Sequence, residues 1–159
     1  MENKDGIKVR GSFRLQLTED DKIVGDSGWQ ENAITNEGFR TYLSAIFAAS
    51  NNSLVIGWAA LGTGGAPAAG DTTLAGEVTH AAGSRDQVTA TTSSDSKACR
   101  YTGTFASDTH NTTTVDIANI GLFQQSNTNT ATIFAGATYN SSSWATNQAV
   151  NYTYDISFS

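Results

Sequence analysis

The sequence predicts a mainly β domain, a sandwich, jelly roll or barrel of about seven or eight short strands with one helix. Three observations predict it. Apolar and polar residues alternate with period two near both termini, as in strands with one face buried. Between them, Thr-rich and apolar runs are separated by short polar turns. Only one stretch carries apolar residues at helical spacing.

The elements follow in order. Ile7, Val9, Gly11, Phe13, Leu15 and Leu17 alternate with Lys8, Arg10, Ser12, Arg14 and Gln16, so the first strand has an apolar face and a cationic or polar face. Glu19-Asp20-Asp21-Lys22 reads as a polar turn, and Ile23-Val24 resumes a second strand toward Trp29, completing a hairpin. Thr35 or Asn36 then caps a helix over residues 36–49. Glu37 lies in its first turn, with Phe39, Tyr42, Leu43, Ile46 and Phe47 on one stripe, and Ser50-Asn51-Asn52 ends it. Further strands are expected over Leu54–Leu61, Asp86–Ser93, Arg100–Phe105, Val115–Phe123 and Thr132–Tyr139. The last strand alternates Val150, Tyr152, Tyr154, Ile156 and Phe158 with Asn151, Thr153, Asp155 and Ser157.

The chain has 159 residues, which fits a single domain. It divides into an N-terminal hairpin region (1–30), the helix (36–49) and a main β body (53–159). Charge is sparse and uneven. Of the 24 charged side chains, 14 lie between Glu2 and Arg40, whereas Thr41–Gly70 and Ile117–Tyr154 have none. A net charge of −6 with only 9 cations argues against general nucleic-acid binding. One cysteine, Cys99, allows neither an intrachain disulfide nor a Cys-rich zinc site. The charged start Met-Glu-Asn-Lys-Asp-Gly is not a secretory signal, and no apolar run approaches the roughly 18 residues of a membrane helix. A hydrophobic content of 38% with 3 Trp, 5 Tyr and 7 Phe argues against disorder. The expectation is a soluble, folded protein made inside a cell, with no membrane partner.

Candidate chemistry is thin. The loop Gly62-Thr63-Gly64-Gly65-Ala66-Pro67 lacks the Gly-Lys-Ser/Thr of a phosphate loop, and no βαβ unit surrounds it for a dinucleotide. It reads as a turn with positive φ or a close approach to a neighbouring chain. His80 and His110 have no Cys or His within five residues, so neither starts a zinc motif. No Gly-x-Ser-x-Gly elbow is present, and Cys99 in a strand reads as an inert thiol, not as the partner of either histidine. Glu19, Asp20, Asp21 and Asp26 lack the spacing of a calcium loop and read as a solvated hairpin tip. The Asn-x-Ser/Thr triplets at Asn51, Asn111, Asn140 and Asn151 read as chance matches. Trp29, Trp58 and Trp144 are either interface anchors or caps on the core. No enzyme activity and no cofactor are expected.

A structural signature is present. It comprises Asn32-Ala33-Ile34-Thr35-Asn36-Glu37-Gly38, Leu61-Gly62-Thr63-Gly64-Gly65-Ala66-Pro67, Asp71-Thr72-Thr73-Leu74 with Glu77, Asn119-Ile120-Gly121-Leu122-Phe123, Thr132-Ile133-Phe134-Ala135 and the alternating tail Tyr152–Phe158. This order resembles small virion proteins of tailed bacteriophages across nearly the whole chain, and in particular capsid decoration (cement) proteins. The resemblance implies a jelly-roll-like sandwich on the outer capsid surface, in many copies. Its partners would be the major capsid protein and copies of itself, as a homo-oligomer or lattice element; a tail or neck component and a carbohydrate- or receptor-binding module are the alternatives. The candidate interface residues are Lys8, Arg10, Arg14, Trp29, Trp58, Gly64, Gly65, Pro67 and Trp144.

Overall fold

A computed structural model describes residues 8–39, 55–79, 85–92, 97–107, 109–126 and 132–158. They form ten strands: β1 (Val9–Glu19), β2 (Lys22–Asp26), β3 (Gln30–Ile34), β4 (Trp58–Gly62), β5 (Arg85–Gln87), β6 (Thr89–Thr92), β7 (Ala98–Phe105), β8 (Val115–Phe123), β9 (Ile133–Trp144) and β10 (Ala149–Phe158). The mainly β class therefore stands. The strands make one nearly closed antiparallel sheet in the order β5-β4-β8-β9-β3-β1-β10-β7-β6, with β2 also paired to β1.

Two features raise the number of strands above the expected seven or eight. Gln30–Ile34, to which the sequence assigned no strand, pairs with β1 and β9 as β3. The expected Asp86–Ser93 strand splits at Val88. Before the split it pairs with β4, after it with β7, so one segment turns the corner between the two ends of the sheet.

Local chemistry accounts for the first hairpin. β1 and β2 pair through Glu19↔Lys22, leaving Asp20 and Asp21 as a two-residue loop with φ of 48° and 60°. Both central residues of such a tight hairpin need positive φ, and Asp tolerates it better than most residues. The strand expected to run on to Trp29 stops at Asp26. There Gly28, at φ 64°, turns the chain into β3.

The helix is described only at its start. Thr35, the first of the two expected caps, has its Oγ1 accepting from Gly38 N–H at 3.0 Å, while Phe39 N–H donates to Thr35 O at 3.1 Å. The same hydroxyl donates to Ile133 O at 2.6 Å, which ties the helical turn to β9. A Cβ on Gly38 would lie 2.3 Å from Phe134 O, so only glycine permits this approach. Residues 40–49 of the expected helix lie outside the described residues, as do His80 and Asn51.

Strand alternation sets the core. Phe13 and Leu15 from β1 and Val150, Tyr152, Tyr154 and Ile156 from β10 all point inward and are at most 4% exposed. They pack with Phe105, Ile117, Ile120, Leu122, Phe134 and Trp144 in one cluster. Burying each large side chain contributes roughly 1.5–3 kcal/mol, which makes this interior the main source of stability.

Candidate contact face

The register places four of the sequence-derived candidates together. Residues facing away from the core on β1 are Arg10, Ser12 and Arg14, opposite Ser157, Asp155 and Thr153 of β10. Lys8, just before β1, is exposed and continues this row. Asp155 in turn lies opposite Arg100 of β7, and Ser12 lies opposite Glu31 of β3. One cross-strand row therefore runs Glu31, Ser12, Asp155, Arg100, Thr91 over five strands.

Two cations on this face, Arg14 and Arg100, are held in place. Arg14 Nε donates to Asp26 Oδ1 at 3.0 Å and its Nη2 pairs with Oδ2. Gln16 Nε2 and Gly28 N–H also donate to Asp26, at 3.1 and 2.9 Å. The Arg14 hydrogen bond is the main reason that the Asp26 carboxyl is held well below the usual carboxylate range. Arg100 makes a fork with Asp155, Nε to Oδ1 at 2.8 Å and Nη2 to Oδ2 at 2.7 Å, which raises the Arg100 pKa further. Trp29, 49% exposed, reaches across the face until its ring centroid is 5.8 Å from the Arg100 guanidinium carbon. The same face carries a groove of about 550 Å3 lined by Arg10, Ser12, Glu31, Asn32 and Ser157 together with Val9 and Gly11.

The other candidates lie elsewhere. Trp58 is half-buried against Ala60, Leu74, Phe123 and Ile133. In the glycine loop, a Cβ on Gly64 would meet Ala75 Cβ at 2.5 Å, so the close approach expected of this loop is to the chain's own 74–77 turn. Gly64 N–H donates to Ala75 O, and the buried Asn119 donates from Nδ2 to both Gly65 O and Ala75 O. The positive φ falls on Gly76, not within the loop. Pro67 is buried and packs on Gly136, leaving Thr63, Gly65 and Ala66 as the exposed part of the loop.

Of the two alternatives the sequence left open for Trp144, the structure takes the core and not the interface. Trp144 is 1% exposed, packs edge-on against Phe105 and donates from Nε1 to Gln148 O at 2.7 Å. Its indole is spent on the core and on closing the β9–β10 turn, so it offers no surface for a partner.

Arg100, Asp155 and Glu31 were not singled out from sequence. Alternation puts Asp155 on a polar strand face, but only the pairing of three distant segments makes the row. Other side chains once weighed for chemistry have local duties. The Glu19 carboxylate accepts from Asn147 and Gln148, and His110 Nδ1 accepts from Ala106 N–H at 3.1 Å. Among the described residues, no group of three or more His, Cys, Asp or Glu side chains converges as a metal site would require. Comparison with family models, curated proteins and solved structures finds no match for this chain.

Proposed function

We propose that the chain is a non-enzymatic bacteriophage virion protein, bound to the outer capsid surface as a decoration or cement protein. Its curled sheet would serve as a jelly-roll-like sandwich, working without a cofactor. The carrying observation is the face that gathers Lys8, Arg10, Arg14 and Trp29, where Arg14 and Arg100 are fixed by carboxylate forks and Trp29 stands exposed. Pinned arginines and an exposed tryptophan lose little freedom on contact, which favours a protein partner. The partner is the major capsid protein, met through acidic surface by Lys8 and Arg10. Binding the assembled shell and not its free subunits stabilises the shell by mass action, and repetition over a lattice lets each contact be modest.

Two measurements test this reading. Added to shells stripped of it, the protein should bind and raise their disassembly temperature, and Trp29→Ala with Arg10→Ala should weaken binding at least tenfold. Immunolabelling of virions should decorate the head; label restricted to tail or neck overturns the capsid assignment in favour of a tail or neck component. An exposed Trp29 on the face that also carries a groove lined by Glu31, Ser12 and Ser157 favours a second reading, a carbohydrate-binding face. A glycan array that binds the wild type but not Trp29→Ala would select that reading, and a blank array would end it.

A further inference from the structure

Among the described residues three strands, β2, β5 and β6, are paired on one side only, and they differ in chemistry; β5 pairs with β4 and carries the charged Arg85 and Asp86. β2 pairs only with β1, and its own edge is guarded. Lys22 and Asp26 stand at its ends, and the register shifts between Leu17 and Thr18 opposite it. Charges and bulges of this kind are what keep edges from pairing with other chains. β6 pairs only with β7 and has no such device. Its residues Thr89, Ala90, Thr91 and Thr92 are all exposed, with neither charge nor proline among them. Three are β-branched, the type that best suits a pleated ladder.

We propose that the free edge of β6 pairs antiparallel with β6 of a second copy, forming a two-fold dimer with one continuous sheet. A row of unpaired backbone N–H and C=O groups is complemented by another strand, and this uncharged edge meets its own copy without repulsion. Symmetry narrows the register. Thr89 and Thr91 lie opposite Thr102 and Arg100 on the outer face, whereas Ala90 and Thr92 lie opposite Tyr101 and Cys99 on the inner face. A two-fold axis normal to the sheet keeps outer faces together, and directly opposed residues share a face. The axis must therefore pass beside Ala90 or Thr91 and not between them. With Ala90 on the axis, Thr89 of each copy faces Thr91 of the other.

The geometry has a consequence for the contact face. An axis normal to the sheet leaves both copies of the Arg14, Arg100 and Trp29 surface on the same side of the dimer. Such a dimer would engage a shell with two faces at once, where the second contact is effectively intramolecular. The dimer itself does not depend on the shell reading.

Sedimentation equilibrium of the purified full chain, without any shell, tests the edge and leaves the shell proposal untouched. The wild type should have twice the monomer mass, and Ala90→Lys or Thr91→Lys should halve it with an unchanged circular dichroism spectrum. Val24→Lys, on the guarded β2, should leave the dimer intact. A monomeric wild type at concentrations on the order of 100 μM, where even a weak dimer forms, overturns the proposal. So does a dimer that survives both β6 substitutions, or one that Val24→Lys dissolves.

Discussion

The Tyr152 hydroxyl donates to Asp86 Oδ2 at 2.9 Å, and that bond links β10 to β5 across the gap where the sheet fails to close. The same oxygen accepts from Thr104 N–H at 3.1 Å. The β6–β7 ladder pairs Thr89 with Thr102, so its next backbone partner for Thr104 would have been Gln87. By then the chain has turned toward β4, and the Asp86 side chain takes the N–H that the ladder abandons. A Cβ on Gly103 would lie 2.2 Å from both Asp86 Oδ2 and the Tyr152 hydroxyl, so the clasp also requires glycine there.

Tyr152→Phe should therefore cost about 1–3 kcal/mol, the penalty for a shielded carboxylate that loses a donor. Gly103→Ala should cost about as much through steric displacement of the same pair. Urea unfolding reads both. If the two effects are coupled through one clasp, the double variant costs clearly less than their sum.

The clasp also predicts a pH dependence. Burial pushes the Asp86 carboxyl above its ordinary pKa, with the Tyr152 hydrogen bond, His110 and the Thr104 and Gln87 N–H groups opposing that shift. A carboxyl raised on folding holds more protons in the native than in the unfolded state between its two pKa values. Stability from this group thus falls as pH rises from the ordinary carboxylate range through the raised value. Asp26 has the opposite sign, since its lowered pKa makes stability fall on acidification. The Asp26 pair is exposed and screened by salt, so thermal melts in high salt should isolate the Asp86 slope. Asp86→Asn should remove that slope; an unchanged profile would refute the assignment.

A buried ion pair holds the glycine loop in place. Arg85 donates to Glu77 from Nε at 2.7 Å and from Nη2 at 3.0 Å, with its guanidinium 3.6 Å above the Phe123 ring. The Arg85 side chain is 1% exposed, so removing Glu77 strands a charge in low dielectric. Glu77→Ala should cost about 3–5 kcal/mol by urea unfolding, whereas Arg85→Met with Glu77→Leu should recover much of it. A single variant costing less than about 1 kcal/mol would mean that water reaches the guanidinium.

The surface fork predicts a smaller effect. Arg14→Ala should lower the urea midpoint only slightly in low salt and less in high salt, because exposed ion pairs are screened. Its larger consequence should be on shell binding, since the fork fixes the contact face. A large drop in that midpoint would give Arg14 a structural role instead.

Sequence alternation located the inward faces of β1 and β10 and the apolar runs of β4, β8 and β9. Residue type offered Thr35 or Asn36 as the helix cap, and the structure takes Thr35. Alternation missed β3, because Gln30–Ile34 has little apolar pattern and becomes a strand by filling the space between β1 and β9. It missed the corner at Val88 for the same reason. Of the candidate surface, the cations of β1 were legible as one polar strand face. Their company with Trp29, Arg100, Asp155 and Glu31 was not.

The division has a physical cause. Which side of a strand a residue faces depends on a local period of two, so the sequence alone determined that Phe13, Leu15, Tyr152, Tyr154 and Ile156 go inside. Which strands become neighbours depends on contacts between segments far apart in the chain, whose closure entropy and packing no local pattern records. Only the tertiary structure decided that Arg100 meets Asp155, that Asp86 clasps Tyr152, and that Trp144 is spent on the core.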